Sequence, residues 1–106
     1  MAKPTVVPRQ LADSEAQRWL AQIACDSSAV IFTSHARQQM RKRGISARQV
    51  IECLKKGLIT ESAFLDLYGN WKLTIERYAA GERIGCAVCI DINKANAIVI
   101  TAFLVR

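Results

Sequence analysis

The fold is decided by residues 71–92, which read WKLTIERYAAGERIGCAVCIDI. Apolar and polar side chains alternate on both sides of Ala80-Gly81, a pattern typical of two strands joined by a tight turn. With a two-residue turn, Tyr78 lies opposite Arg83, and every later pair follows from that register. The pattern therefore predicts an antiparallel hairpin with one apolar face, made by Trp71, Leu73, Ile75, Ile84, Cys86, Val88 and Ile90.

The hairpin is flanked by two further segments that read as strands. Residues 58–68 precede a turn at Gly69-Asn70, and residues 95–105 follow a turn at Asn93-Lys94. Together with the hairpin they predict a four-stranded antiparallel meander. The last strand is expected to continue the apolar face with Val99, Thr101 and Phe103.

Three helices are predicted ahead of the meander, with capping chemistry at their ends. Ser14 with Gln17, and Ser46 with Gln49, have the spacing of capping boxes. The short apolar segment 30–32 is either a brief strand or a strut between helices. This order of elements predicts an α+β fold with the helices packed on one face of the sheet. The predicted helix limits are Ser14 and Cys25, then Thr33 or Ser34 and Gly44, then Ser46 and Gly57.

The bulk composition fits one small globular domain. The chain has 106 residues, of which 51% are hydrophobic and 23% are charged. Residues 1–10 contain both prolines and are expected to form a flexible lead-in to a single domain over residues 11–106. The sequence shows no signal peptide and no apolar run of about 18 residues, so we expect a cytoplasmic protein with no membrane partner.

Positive charge is concentrated in the predicted second helix. The net charge of +6 favours an anionic partner such as nucleic acid, with solubility as the competing explanation. His35 is the only histidine, so it serves either imidazole chemistry near neutral pH or a purely structural role. Arg37, Arg41 and Lys42 are candidates for phosphate contact, and the alternative interpretation is that they are only solvent-exposed charges. Arg43 is expected to be partly buried and hydrogen-bonded.

Two of the four cysteines, Cys86 and Cys89, form a C-x-x-C pair. Because they lie three residues apart in one predicted strand, their side chains point to opposite faces of the sheet. The sequence contains no second pair of this kind, and its one histidine is distant. We therefore predict small buried thiols, with no metal site and no cofactor.

The second face of the hairpin is chemically mixed. Lys72, Glu76 and Tyr78 alternate along the first strand, and Arg83 begins the second, followed by small residues within 85–89. This arrangement predicts a shallow polar groove, and a solvated face with cross-strand charge pairs is the competing interpretation. RNA cleavage needs a base for the 2′-hydroxyl, cations for the phosphate and an acid for the leaving oxygen. All of these residue types are present.

One pattern joins the basic segment to the sheet. It begins as His35-Ala36-x-x-x-Met40-x-x-Arg43-Gly44-Ile45-Ser46, continues through a short helix ending at Gly57, and closes in residues 98–103. The pattern resembles a widespread bacterial domain family of undetermined function that is related to RelE-, ParE- and MqsR-type toxins. The resemblance spans residues 30–105. It implies a RelE-like α+β fold, metal-independent cleavage of mRNA, either free or ribosome-associated, and a cognate antitoxin as partner.

The leading hypothesis is therefore a toxin-like endoribonuclease. In this hypothesis His35 and Glu76 serve as acid and base, and Tyr78 contacts a nucleobase or the leaving group. The phosphate would be stabilised by Lys72, Arg43 and Arg83. One alternative is a non-catalytic basic module that binds nucleic acid or an acidic protein, and another is a gyrase-directed inhibitor.

Overall fold

Residues 11–105 are described by a computed structural model, and the predicted lead-in over residues 1–10 lies outside this range. Within it the chain forms three α-helices and one five-stranded sheet, so the predicted α+β class is confirmed. None of these three helices is long and apolar enough to cross a membrane. The helices are α1 (Asp13–Ala24), α2 (Ser34–Arg43) and α3 (Ala47–Lys56), and the strands are β1 (Val30–Phe32), β2 (Leu58–Leu65), β3 (Trp71–Ala79), β4 (Glu82–Asp91) and β5 (Asn96–Val105).

The sheet has the strand order β1-β5-β4-β3-β2 and is mixed, so the predicted four-stranded antiparallel sheet is incomplete. Strands β2 to β5 form the expected meander, but β1 adds a fifth strand that runs parallel to β5. Three residues are too few to show a strand period, and pairing with the distant β5 makes this segment a strand. The Thr33 N–H, directly after β1, extends this pairing by donating a hydrogen bond of 3.1 Å to the Val99 carbonyl oxygen.

The β3–β4 hairpin has the predicted register along its whole length. Tyr78 lies opposite Arg83, and the pairing continues without a shift to the start of β3. The two turn residues, Ala80 and Gly81, have positive φ angles of 54° and 81°. A type I′ turn requires such angles, and its twist matches that of the flanking strands. All seven side chains assigned to the apolar face are buried.

The pairing of β4 with β5 contains an irregularity that the sequence pattern does not reveal. The register shifts between Ala87 and Val88, which leaves Ile100 as an extra residue in β5. A β-bulge of this kind reverses the alternation of side chains beyond it, since successive residues point to opposite faces. The predicted positions of Thr101 and Phe103 on the apolar face are therefore wrong.

The ends of α2 and α3 are formed by the predicted caps. Thr33 Oγ1 accepts a hydrogen bond of 3.0 Å from the Ala36 N–H, and Gly44 ends α2 with a φ of 69°. Ser46 and Gln49 form a reciprocal capping box, with hydrogen bonds of 3.1 and 2.8 Å. Side-chain oxygens thus satisfy N–H groups at the first turn of each helix, as expected from the sequence.

The capping box predicted for Ser14 and Gln17 is absent from α1. This helix begins at Asp13, and its N-cap residue, Ala12, makes no side-chain hydrogen bond. Gln17 instead reaches the sheet, where its Oε1 accepts a hydrogen bond of 3.4 Å from the Ile59 N–H. The Gln17 side chain therefore forms a hydrogen bond between α1 and β2 and not the capping hydrogen bond expected at the start of α1.

The helices pack on one side of the sheet, which we call the covered face. Helix α3 contacts β3 and β4, α2 contacts β5 and β1, and α1 packs on α3 with further contacts to β2 and β5. Leu20 of α1, Leu54 of α3 and Trp71 of β3 are fully buried in one hydrophobic core. The opposite side, which we call the open face, carries the polar residues of β3 and β4.

We expect Leu20→Ala to lower the free energy of unfolding by about 2–5 kcal/mol, because it leaves a cavity beneath α1. Arg18→Ala, at an exposed site on the same helix, is the matched control and should change stability by less than about 0.5 kcal/mol. Urea unfolding followed by tryptophan fluorescence measures both variants. Equal, small effects would contradict a contribution of α1 to the core.

Candidate functional site

Four residues form a polar cluster on the open face: Thr60, Glu76, Tyr78 and Arg83. The Glu76 carboxylate accepts a hydrogen bond of 3.2 Å from Thr60 Oγ1 at Oε2, and its Oε1 lies 3.7 Å from Arg83 Nη1. The Glu76 side chain is 17% exposed, whereas that of Arg83 is 53% exposed. The carboxylate is therefore held within the sheet surface, and the guanidinium keeps donors free for an anion.

Thr60 lies at a β-bulge beside the polar cluster. Ile59 pairs with Ile75 and Glu61 pairs with Thr74, so Thr60 is an extra residue in β2. Bulges of this kind redirect side chains and are frequent beside functional sites. Sequence reasoning did not identify Thr60, because residues 58–68 alternate too irregularly to set the register of β2 against β3.

A cleft lies beside the ion pair, near the β3–β4 turn. Tyr78 is 65% exposed and is directly opposite Arg83, so both side chains line one side of the sheet end. The cleft has a volume of about 470 Å³ and is lined by Tyr78, Gly81, Glu82, Arg83, Leu104 and Val105. The hydroxyl group of Tyr78, the cation of Arg83 and the acidic residue Glu82 thus border this space.

Phe103 joins the open face next to the polar cluster, where sequence reasoning did not place it. It pairs with Gly85, which in turn pairs with Glu76, so the three residues form one row across β5, β4 and β3. A Cβ atom added to Gly85 would overlap the Phe103 ring. The ring therefore lies against the backbone of β4, and it occupies part of the shallow groove predicted over the small residues of this strand.

Lys72 is separated from the polar cluster. It lies on the same strand face as Glu76, but four residues away, which is about 13 Å along an extended strand. Its cross-strand neighbours are Phe64 and Cys89, and it borders a hollow of about 350 Å³ at the far end of the sheet. This separation does not support the predicted action of Lys72 and Arg83 on the same phosphate.

The same hollow contains a hydrogen-bonded thiol and carboxylate. Cys89 Sγ donates to Asp66 Oδ2 at 3.6 Å, and the backbone N–H groups of Asn70 and Tyr68 donate to Asp66 Oδ1. These backbone hydrogen bonds, that from Asn70 above all, lower the pKa of the Asp66 carboxyl. Burial and then the Asp66 charge raise the pKa of the Cys89 thiol. Burial and the raised pKa both disfavour the thiolate form of Cys89, although the residue lies on the open face.

Cys86 lies on the covered face, so the C-x-x-C side chains diverge as predicted. Its partner is Cys53 of α3, and hydrogen bonding with Cys53 together with burial raises the pKa of the Cys86 thiol. Cys53 Sγ lies 3.7 Å from the carbonyl oxygens of Ile75 and Ile84. Residues 11–105 contain no group of His, Cys, Asp and Glu side chains that could hold a metal ion.

The basic side chains of α2 form a second surface. Arg37 places its guanidinium 5.8 Å from the centre of the Phe32 ring, and Arg41 and Lys42 are exposed in the last turn. Arg43 is hydrogen-bonded, as predicted, through its Nε to Gln39 Oε1 at 3.1 Å, but it is exposed and not partly buried.

His35 is exposed in the first turn of α2. Within residues 11–105, no hydrogen bond or ion pair links His35 or the α2 cations to the polar cluster. The predicted site is thus divided between α2 and the open face.

The chain matches the family model described as a domain of unknown function, DUF4258, over residues 32–104. It belongs to this family. The DUF4258 match extends from the end of β1 into β5 and contains both the polar cluster and α2, whereas α1 lies ahead of it. No curated protein and no solved structure matches the chain.

We expect iodoacetamide to label Cys25 first in the folded protein, because Cys25 is exposed and the other three cysteines are buried. The raised pKa values of Cys86 and Cys89 leave little thiolate for alkylation at pH 8. Intact-mass spectrometry should show one fast modification, and four after unfolding in urea. Cys25→Ser should remove the fast modification, and rapid labelling of Cys89 would contradict its burial.

Proposed function

We propose that this protein is a toxin-like endoribonuclease that cleaves RNA at the polar cluster without a metal ion. The ion pair between Glu76 and Arg83 carries the proposal, because it places a possible base beside a cation on an accessible sheet face. The resemblance of the His35–Ile45 segment and the meander to a domain family of undetermined function that is related to RelE- and ParE-type toxins supports it. The proposal includes RNA as substrate and a neutralising antitoxin as partner.

The chemistry assigns one role to each side chain of the ion pair and to Tyr78. Glu76 removes the proton of the ribose 2′-hydroxyl, and the 2′-oxygen attacks the adjacent phosphorus atom. Arg83 stabilises the negative charge that develops on the phosphate oxygens. Tyr78 donates a proton to the departing 5′-oxygen. The products are a 2′,3′-cyclic phosphate and a free 5′-hydroxyl, so no additional reactant is needed.

A purely structural role for the ion pair makes a different prediction. Exposed or half-exposed pairs contribute only about 0–1 kcal/mol to stability, so a structural pair could be removed with little effect on any activity. His35 has no hydrogen bond to the polar cluster, and its acid–base role stays a prediction from the sequence. The same cleavage assay with His35→Ala tests it.

We expect Glu76→Gln to reduce RNA cleavage by about 10²- to 10⁴-fold, the usual contribution of a general base. The matched control is Glu61→Gln, which removes the carboxylate of another open-face residue, hydrogen-bonded to Thr74 at 2.6 Å. Cleavage of a labelled RNA is measured in the presence of EDTA, with identification of the cyclic phosphate end. Growth arrest on expression in a bacterial host should follow the same order.

Retention of cleavage or growth arrest in a protein lacking both Glu76 and His35 would refute this mechanism. Loss of cleavage in EDTA with recovery on adding Mg²⁺ would refute metal independence. Failure of DNA supercoiling in cells whose mRNA remains intact would favour the gyrase-directed alternative.

A second candidate function is non-catalytic nucleic-acid binding through α2. It is favoured by the arrangement of Arg41 and Lys42, which are exposed and form no ion pair within residues 11–105. Lys55 and Lys56, at the corresponding end of α3, are both paired with Glu52. Arg41 and Lys42 are therefore available for phosphate groups, whereas the lysines at the end of α3 are engaged by Glu52.

We expect Arg41→Glu with Lys42→Glu to weaken RNA binding at least tenfold and to reduce its dependence on salt. If each cation contacts one phosphate of a single strand, the slope of log K against log salt should fall by about 1.4. Lys55→Glu with Lys56→Glu is the matched control, and fluorescence anisotropy measures all three proteins. Equal losses in both double variants would indicate an effect of net charge, not of the α2 surface.

A further inference from the structure

Phe103 is the aromatic residue in the row across β5, β4 and β3 that contains Glu76. The bulge at Ile100 turns it to the open face, where it pairs with Gly85 and its ring lies against the glycine backbone. The residue is partly exposed and is absent from the hydrophobic core of the covered face. One side of the ring is thus occupied by β4, and the residue retains exposed surface in the same row as Glu76, two strands away.

We propose that Phe103 is a base-stacking residue that makes the polar cluster select nucleic acid with an unpaired base. This inference deepens the proposed function and depends on it to the extent that the polar cluster binds RNA. The proposed stacking contact determines specificity, and the cleavage chemistry does not require it.

The position of the ring relative to the ion pair supports this role. Gly85 separates Phe103 from Glu76 in the row, and Arg83 lies two residues before Gly85 on the same face, about 7 Å along the strand. A base stacked on the ring would therefore place its own backbone phosphate near the Arg83 guanidinium. Aromatic side chains on open sheets bind unpaired bases in this way, because every base has a flat face.

Duplex nucleic acid does not present such a face, since its bases are stacked on one another. A ring that lies on the sheet surface cannot enter a base stack without first unpairing it. The geometry therefore predicts a preference for single strands, loops or ends over paired segments. Phe64, the other phenylalanine of the open face, lies at the far end of the sheet beside Lys72 and is not adjacent to the ion pair.

The competing explanation is structural: the ring covers the exposed backbone of Gly85 and binds nothing. Aromatic residues are known to compensate for glycine in strands through such contacts. The two explanations differ in what leucine does at this position. Leucine still covers the glycine backbone, but it lacks the aromatic face on which a base stacks.

The test measures binding of a fluorescently labelled 2′-O-methyl RNA oligonucleotide, which has no free 2′-hydroxyl and cannot be cleaved by the proposed chemistry. Phe103→Leu should weaken binding of the single strand by roughly 5- to 150-fold, the range for one stacked base. Phe103→Trp should restore it, and Phe64→Leu, the matched control, should bind like the wild-type protein. A duplex of the same sequence should bind more weakly and equally to wild-type protein and Phe103→Leu.

Unchanged binding of the single strand by Phe103→Leu would overturn the inference, as would equal sensitivity of the duplex to this substitution. Thermal unfolding checks that the variants are folded. If Phe103→Leu fails to fold, the deciding measurement is the effect of the oligonucleotide on the tryptophan fluorescence of Phe103→Trp. Fluorescence that the oligonucleotide leaves unchanged would overturn stacking.

Binding that depends on Phe103 in a protein that cleaves no RNA would refute only the ribonuclease proposal. Cleavage with binding independent of Phe103 would refute only the stacking role. Absence of any oligonucleotide binding by the wild-type protein would refute both.

Discussion

The hydrogen-bonded pairing of β3 with β4 is the constraint on which the rest of the structure depends. Ala80 and Gly81 adopt the two positive φ angles of a tight turn, and this turn sets the register of every pair along the hairpin. A shift of one residue would exchange the two faces. The same pairing therefore buries Trp71 under the helices and places Glu76 beside Arg83 on the open face.

Three register shifts interrupt the pairing on either side of the hairpin, two in β2 and one in β5, and the candidate site lies beside two of them. Thr60, at the first shift in β2, donates to the Glu76 carboxylate, and the extra residue Ile100 in β5 turns Phe103 toward Gly85. The shifts lie in the pairing of β2 with β3 and of β5 with β4, while the central hairpin stays regular. The hairpin thus supplies the ion pair, and the flanking strands supply the groups around it.

The core extends beyond the DUF4258 match. Helix α1 precedes residue 32, yet it buries Ala16, Leu20 and Ala24 and packs on α3. Its Gln17 also bonds the backbone of β2. Part of the apolar surface of α3 and of the sheet is therefore covered by a helix outside the matched segment. Helix α1 thus contributes to the core that supports the sheet carrying the open face.

Local chemistry determined much of this protein from its sequence. Glycine at a left-handed position, serine and threonine at helix starts and strict alternation in residues 71–92 each act over a few residues, so α2, α3 and the central hairpin were predictable. The divergence of Cys86 and Cys89 followed from the same alternation. Glu76, Tyr78 and Arg83 could be placed on one face for this reason.

Only tertiary structure decided the features that depend on distant partners. The segment Val30–Phe32 becomes a strand because it pairs with the edge of β5. The Gln17 side chain does not cap α1 because it accepts a hydrogen bond from a backbone N–H of β2. The bulge in β5 that places Phe103 has no local signature, since an inserted residue is defined only against its partner strand. The separation of α2 from the polar cluster has the same origin, because helix packing on the sheet sets where His35 lies. The sequence by itself determined which chemical groups are available, and tertiary pairing decided which of them meet.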